Sequence, residues 1–92
     1  MIGLQSHPKR RTDILLQAAA DSLVLFNLDD GTYYAVDELG GVLWELCDGT
    51  HSVSELVAMV CEQYETTAET AESDVLEFLE ELANEKLLVE GD

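Results

Sequence analysis

The hydrophobic and polar positions divide the chain into a strand-rich first third and a helical remainder, with Asp37 at the junction. Residues 23–28 form the strongest strand pattern, because β-forming side chains are bounded there by turn residues. Residues 29–31 (DDG) predict a hairpin turn, since an Asp-Gly pair tolerates positive φ. Residues 32–36 return as the partner strand, and the apolar run 14–16 predicts a first strand. The pattern therefore indicates a three-stranded antiparallel meander.

Three helical patterns follow the strands. Asp37 is a suitable N-cap for the first helix, Ser52 and Glu55 form a capping box for the second, and Thr66 with Glu69 repeats that pattern for the third. The Gly40-Gly41 pair weakens the start of the first helix, which suggests close approach to another backbone. The apolar stripes of the last two helices are Val53, Leu56, Val57, Val60, Cys61 and Tyr64, then Ala71, Val75, Phe78, Leu79 and Leu82.

These elements predict an α+β fold of the winged helix-turn-helix type, a three-stranded antiparallel sheet followed by three helices. Ninety-two residues suffice for one core only. We therefore expect a single domain over residues 13–92, preceded by a flexible N-terminal segment, residues 1–12.

Charge excludes several classes of function. The chain has a net charge of -16, and residues 29–92 alone carry -17 whereas residues 1–28 carry +1. Nucleic acids and anionic membrane surfaces require a basic footprint that is missing here. The acidic part would attract a basic partner, although a solvated surface explains much of the charge. Two cysteines without a close pair, and no apolar run that could span a bilayer, favour a cytoplasmic protein.

Candidate chemistry is sparse. His7, Cys47, His51 and Cys61 lack the convergent pairs of a zinc site, so we expect no metal and no cofactor. No nucleophile has a base and an orienting group within a recognisable motif, which predicts a protein that is not an enzyme.

Residues 21–23 read Asp-Ser-Leu, the attachment signature of acyl and peptidyl carrier proteins. A carrier serine opens a helix, whereas Ser22 leads into the β-forming run LVLF. A carrier protein modified on Ser22 is therefore kept as an alternative to a binding protein.

The third predicted strand has an unguarded edge. Its sequence, TYYAV at residues 32–36, contains no lysine, proline or glycine that would block pairing. An extended peptide could add there as a fourth strand, held by main-chain hydrogen bonds. In the simpler alternative, Tyr33 and Tyr34 only alternate between core and solvent.

The order of these motifs resembles the PqqD-like family, small peptide chaperones also called RiPP recognition elements. The resemblance covers residues 23–88 with every spacing preserved. It is carried by the strand hairpin and by YAVDELG at 34–40, LWELCDG at 43–49, SVSELV at 52–57 and DVLEFLEEL at 74–82.

The resemblance implies a protein that binds the leader of a ribosomally synthesised, post-translationally modified precursor peptide. The leader would lie as an added strand against the third strand, in a cleft walled by the third helix. Phe78 or Val75 would form the floor of a side-chain pocket, and Asp74 and Glu81 would meet a leader cation or amide. The implied peptide-binding residues are Thr32, Tyr33, Tyr34, Ala35, Val36, Asp74, Val75, Phe78 and Glu81.

The implied partners are the precursor leader and a modifying enzyme, either a radical SAM enzyme or a leader peptidase. A winged-helix module for other protein interactions is a further alternative. The sequence leaves the oligomeric state open, a homodimer included.

Overall fold

The computed structural model describes residues 2–89 and confirms the predicted α+β fold, three antiparallel strands followed by three helices. The strands pair in the order β1-β2-β3, so β2 is central and the other two lie at the edges. The elements are β1 (Ile14–Ala19), β2 (Ser22–Asn27), β3 (Tyr33–Val36), α1 (Glu38–Leu46), α2 (Val53–Gln63) and α3 (Ala68–Asn84).

The first strand is longer than the sequence pattern indicated. It continues to Ala19, because Ala18 and Ala19 pair with Leu23 and Ser22 of β2. Pairing with a strong neighbouring strand overrides the weak β-propensity of alanine. The predicted Asp-Gly hairpin between β2 and β3 is confirmed, with Gly31 at φ 78°.

The core lies between the inner face of the sheet and the three helices. Trp44 of α1 is its largest side chain and is almost fully buried, together with Leu25 of β2. The buried hydrophobic residues are Ile14, Leu25, Leu43, Trp44, Cys47, Val53, Leu56, Val60, Ala71, Val75, Leu79, Leu82 and Leu87. Among the described residues, no helix is long and apolar enough to span a bilayer.

Local capping bonds fix the helix starts. The Asp37 carboxylate accepts a hydrogen bond from the Gly40 amide at 2.7 Å, as predicted. The capping box of α2 is also confirmed, since Ser52 and Glu55 each accept from the other's backbone amide. The third helix begins one residue later than predicted, because Thr67 and not Thr66 supplies the hydroxyl cap.

The glycine pair of α1 allows close packing, but against side chains and not against a backbone. A Cβ on Gly41 would lie 2.9 Å from Leu23 Cδ1. A Cβ on Gly40 would lie 3.1 Å from the Val36 Cβ atom and 3.1 Å from the Phe78 ring. The missing side chains thus bring α1 against the ends of β2 and β3.

Residues 8–11, which we call the N-terminal clasp, join two distant segments. Arg10 donates its backbone amide to Cys47 O at 2.7 Å, and Val89 donates to Lys9 O at 2.7 Å. The clasp therefore lies between the end of α1 and the end of the described chain. Flexibility of residues 1–12 stays a prediction, and these bonds are what such motion would have to break.

Candidate functional site

The outer edge of β3 has no partner strand among residues 2–89. Asn27 donates its amide to Thr32 O at 2.8 Å, and antiparallel pairs alternate between bonded and non-bonded positions. Tyr34 and Val36 therefore direct their backbone groups towards β2. The N–H and C=O groups of Tyr33 and Ala35 point away from the sheet and are free to pair with an added strand.

A cavity of about 340 Å³ lies next to the end of β3. It is formed where the start of α1 meets one face of α3, and the contacts of Gly40 with Val36 and Phe78 place it beside the strand. Its lining residues are Asp37, Leu39, Gly40, Leu43, Asp74, Glu77, Phe78 and Glu81.

The cavity has an apolar floor and a carboxylate rim. Phe78 is half-buried and contributes an aromatic wall, whereas Asp74 and Glu77 on the same helix are exposed. Neither of these two acids makes a hydrogen bond or ion pair within the described part of the chain. None of the four lysine and arginine side chains lines the cavity. The rim therefore carries negative charge that no lysine or arginine within residues 2–89 neutralises.

One hydrogen bond joins the edge strand to the helical wall. Tyr34 Oη donates to Glu81 Oε1 at 2.6 Å. This hydrogen bond, with desolvation and the carboxylate charge, raises the pKa of Tyr34 to about 12. The two tyrosines do alternate, as the simpler alternative had it, because Tyr34 is half-buried on the helix side and Tyr33 is 74% exposed on the other; the free backbone edge is present as well.

The structure brings together five of the sequence-predicted site residues, because Tyr34 bonds Glu81 and Val36 and Phe78 both lie against Gly40, with Asp74 on the same face of α3. The side chains of Tyr33 and Ala35 lie on the other face of the sheet, and Thr32 precedes β3. The expectation that Val75 lines the cleft is wrong, because its side chain is 0% exposed and belongs to the core. Of the two residues expected at the pocket floor, only Phe78 has surface that a peptide can touch.

Sequence reasoning missed two acids of the rim. Glu77 lies one turn after Asp74 on α3, so helical spacing alone could have added it. Asp37 was identified only as a helix cap, but its carboxylate also borders the cavity.

The structure does not support the other kinds of site considered from the sequence, a reactive cysteine, a carrier serine or a metal site. Burial raises the pKa of the Cys47 thiol to about 12, so this cysteine is a poor nucleophile and metal ligand. Ser22 is the first residue of β2 and not the start of a helix, which removes the structural context of a carrier serine. Within residues 2–89, no group of three His, Cys, Asp or Glu side chains is placed to hold a metal ion.

Comparison with known proteins identifies a family model that matches most of the chain. The family model described as Coenzyme PQQ synthesis protein D (PqqD) matches residues 22–88. No match is found among curated proteins.

Two solved structures share the fold. The first, described as TbiB1 in complex with the TbiA(beta) leader peptide, is 31% identical with a TM-score of 0.76, over 91% of this chain and 98% of that chain. The second, lasso peptide synthetase B1 complexed with the leader peptide, has a TM-score of 0.79 over 92% of this chain and 100% of that chain. Its 16% identity supports the fold alone.

Proposed function

The chain belongs to the PqqD family, and we propose that it binds the leader of a ribosomally synthesised, post-translationally modified precursor peptide. The observation that carries the proposal is the free edge of β3 beside a cavity with an apolar floor. The relative at 31% identity, which is described as bound to a leader peptide, supports it independently.

The proposed binding mode is strand addition to β3. The outward backbone groups of Tyr33 and Ala35 offer donors and acceptors to an extended peptide. Each main-chain hydrogen bond contributes only about 1 kcal/mol net. Side chains of the leader must therefore add affinity, and alternate ones would point towards the cavity floored by Phe78.

We propose that the protein is a non-enzymatic chaperone. It would deliver the bound precursor to a modifying enzyme, a radical SAM enzyme or a leader peptidase. The gain is a higher local concentration of the precursor at that enzyme, which requires no catalytic group on this chain.

The test is a titration of the isotopically labelled protein followed by amide NMR shifts. Two probes are used, the TbiA(beta) leader and the N-terminal half of any short peptide that a neighbouring gene encodes. We expect shifts confined to residues 32–37 and 74–82. Shifts elsewhere would contradict the site, and no shifts with either leader would contradict the function.

A pair of variants tests strand addition itself. Ala35→Pro removes one outward N–H while leaving the pairing with β2 intact, so we expect leader affinity to fall about tenfold or more. Ala35→Ser keeps the N–H and serves as the matched control. Equal affinity of the two variants in a fluorescence titration would exclude β3 as the docking edge.

A further inference from the structure

Among residues 2–89, the side chains on the outer face of the sheet are uncharged, and several apolar ones are exposed. The strand register places Leu15, Phe26 and Tyr33 in one row across the three strands. Leu15 is 40% exposed and Tyr33 is 74% exposed. Gln17 and Val24 lie in the next row with Ala35.

This face differs in charge from the rest of the surface. No residue of the three strands is charged, in a chain in which charged residues make up 26%. Acidic residues lie just beyond both ends of the strands, at Asp21 on one side and at Asp29 and Asp30 on the other. The complementary surface is an apolar patch flanked by lysines or arginines.

A second copy of the chain fits this face poorly. Three strands of at most six residues offer roughly 300 Å² on each partner, whereas a stable interface needs about 800 Å² on each side. Two copies that each carry a net charge of -16 also repel one another. An area of this size suits a weak, transient contact with a basic partner.

The face is continuous with the edge proposed for the leader. Tyr33 and Ala35 direct their side chains to the outer face and their backbone groups to the free edge. A leader added to β3 would extend the sheet, and every second leader side chain would lie on this same face. A protein docked there would contact the chaperone and its peptide together.

We propose that the outer face of the sheet is the docking surface for the enzyme that acts on the bound precursor, a protein with an apolar patch flanked by basic side chains. That the partner is this enzyme rests on the proposed leader binding. The existence of the docking face does not.

The experiment combines capture with measured affinity. In cells that make the modified peptide, the photoreactive residue p-benzoylphenylalanine replaces either Leu15 or, as the control, Leu4. Leu4 lies in the N-terminal segment and is 38% exposed. The protein crosslinked from position 15 is identified by mass spectrometry, purified and titrated against the chain, with and without leader. We expect a partner from position 15 and none from position 4, with tighter binding when leader is present.

Matched lysine substitutions define the surface. We expect Leu15→Lys to weaken the purified partner about tenfold or more, because it places a charge in an apolar contact. Gln17→Lys tests the same face without removing any apolar side chain, and Leu4→Lys is the control at similar exposure. Leader affinity should be unchanged in all three variants, since none of these positions lies on β3.

Several outcomes would overturn the proposal. Equal affinity of the Leu15→Lys and Leu4→Lys variants would do so, as would crosslinking from position 15 only to a second copy of the chain. A complete absence of crosslinked protein from position 15 would also overturn the proposal. If neither leader binds but the partner still requires Leu15, the proposed leader function fails and the docking face stands.

Discussion

Two extended segments, the N-terminal clasp and β3, differ in whether their backbone groups are paired. The clasp bonds on both sides, to the end of α1 through Arg10 N–Cys47 O and to the end of the described chain through Val89 N–Lys9 O. In the part of the chain that the structure describes, the backbone of β3 pairs on one side only, with β2. The same kind of backbone therefore closes the fold at one place and stays available at another.

The charges follow the same division. The Arg10 guanidinium donates hydrogen bonds to three backbone carbonyls, those of Trp44 at 3.5 Å, Glu45 at 2.8 Å and Cys47 at 3.3 Å. It thus places a cation at the C-terminal end of α1, where the helix itself has no basic residue. Within residues 2–89, no lysine or arginine lines the cavity beside β3. The paired groups at the end of α1 therefore stabilise the fold, whereas the unpaired groups beside β3 are available to bind another molecule.

The largest expected effect comes from one substitution placed at adjacent positions of β3. Val36→Pro removes an N–H that faces β2, and we expect a loss of about 2–3 kcal/mol in the free energy of unfolding, because a ladder bond is lost and its acceptor is left unpaired. Ala35→Pro removes an outward N–H, and Tyr34 before it is already extended, so its cost should stay below about 1 kcal/mol. Urea denaturation of both variants measures the difference, and the reverse order would contradict the register.

Arg10→Ala should have the next largest effect, on the paired segment. It leaves partly buried carbonyls at the end of α1 without a charged donor, and we expect a loss of about 1–3 kcal/mol in the free energy of unfolding. Lys9→Ala is the control, because the Lys9 ammonium makes no hydrogen bond or ion pair within residues 2–89. Equal losses for the two variants would show that only general charge matters.

The contrast between these regions also explains how far the sequence predicts the fold. The β2–β3 hairpin and the Ser52 capping box depend on neighbours within a few residues, and both were predicted. The clasp depends on Cys47 and on the end of the described chain, far away in sequence, so no local pattern indicates it. Likewise Ala18 becomes a strand residue only because Leu23 is available to pair with it.

The candidate site follows the same rule. The missing guard residues of β3 are visible in its own sequence, so the free edge could be predicted. Which of Val75 and Phe78 borders the cavity could not be, because the two are both apolar and nearly on one face of α3. Val75 shares its side of the helix with Leu79 and Leu82, which are fully buried.

Asp74→Asn sharpens the comparison on the unpaired side. If the rim of the cavity attracts a leader cation, the variant should bind the leader about threefold more weakly at low salt and show a flatter dependence of affinity on ionic strength. Stability should not fall, because Asp74 makes no hydrogen bond or ion pair in the described structure. Glu62→Gln removes the same charge from an exposed position of α2 and is the control. An unchanged salt slope for Asp74→Asn would leave this acid with a role in solubility only.

The smallest expected effect concerns the hydrogen bond from Tyr34 of β3 to Glu81 of α3. The pKa of Tyr34 is raised from 10.0 to about 12 in the folded protein, chiefly because its hydroxyl donates to the carboxylate. A raised pKa means that folding favours the protonated phenol. Its contribution to stability is therefore complete below about pH 10 and is lost as the pH rises towards about 12.

Absorbance titration of tyrosinate in the folded protein should accordingly show a late step, near pH 12. Tyr34→Phe should remove that late step, and Glu81→Gln should move it back towards pH 10 because the carboxylate charge is gone. A late step that persists in Tyr34→Phe would assign it to another tyrosine. Since the bond spans β3 and α3 next to the cavity, a bound leader that displaces it would shift the same step to lower pH, which reports on the open edge without any label.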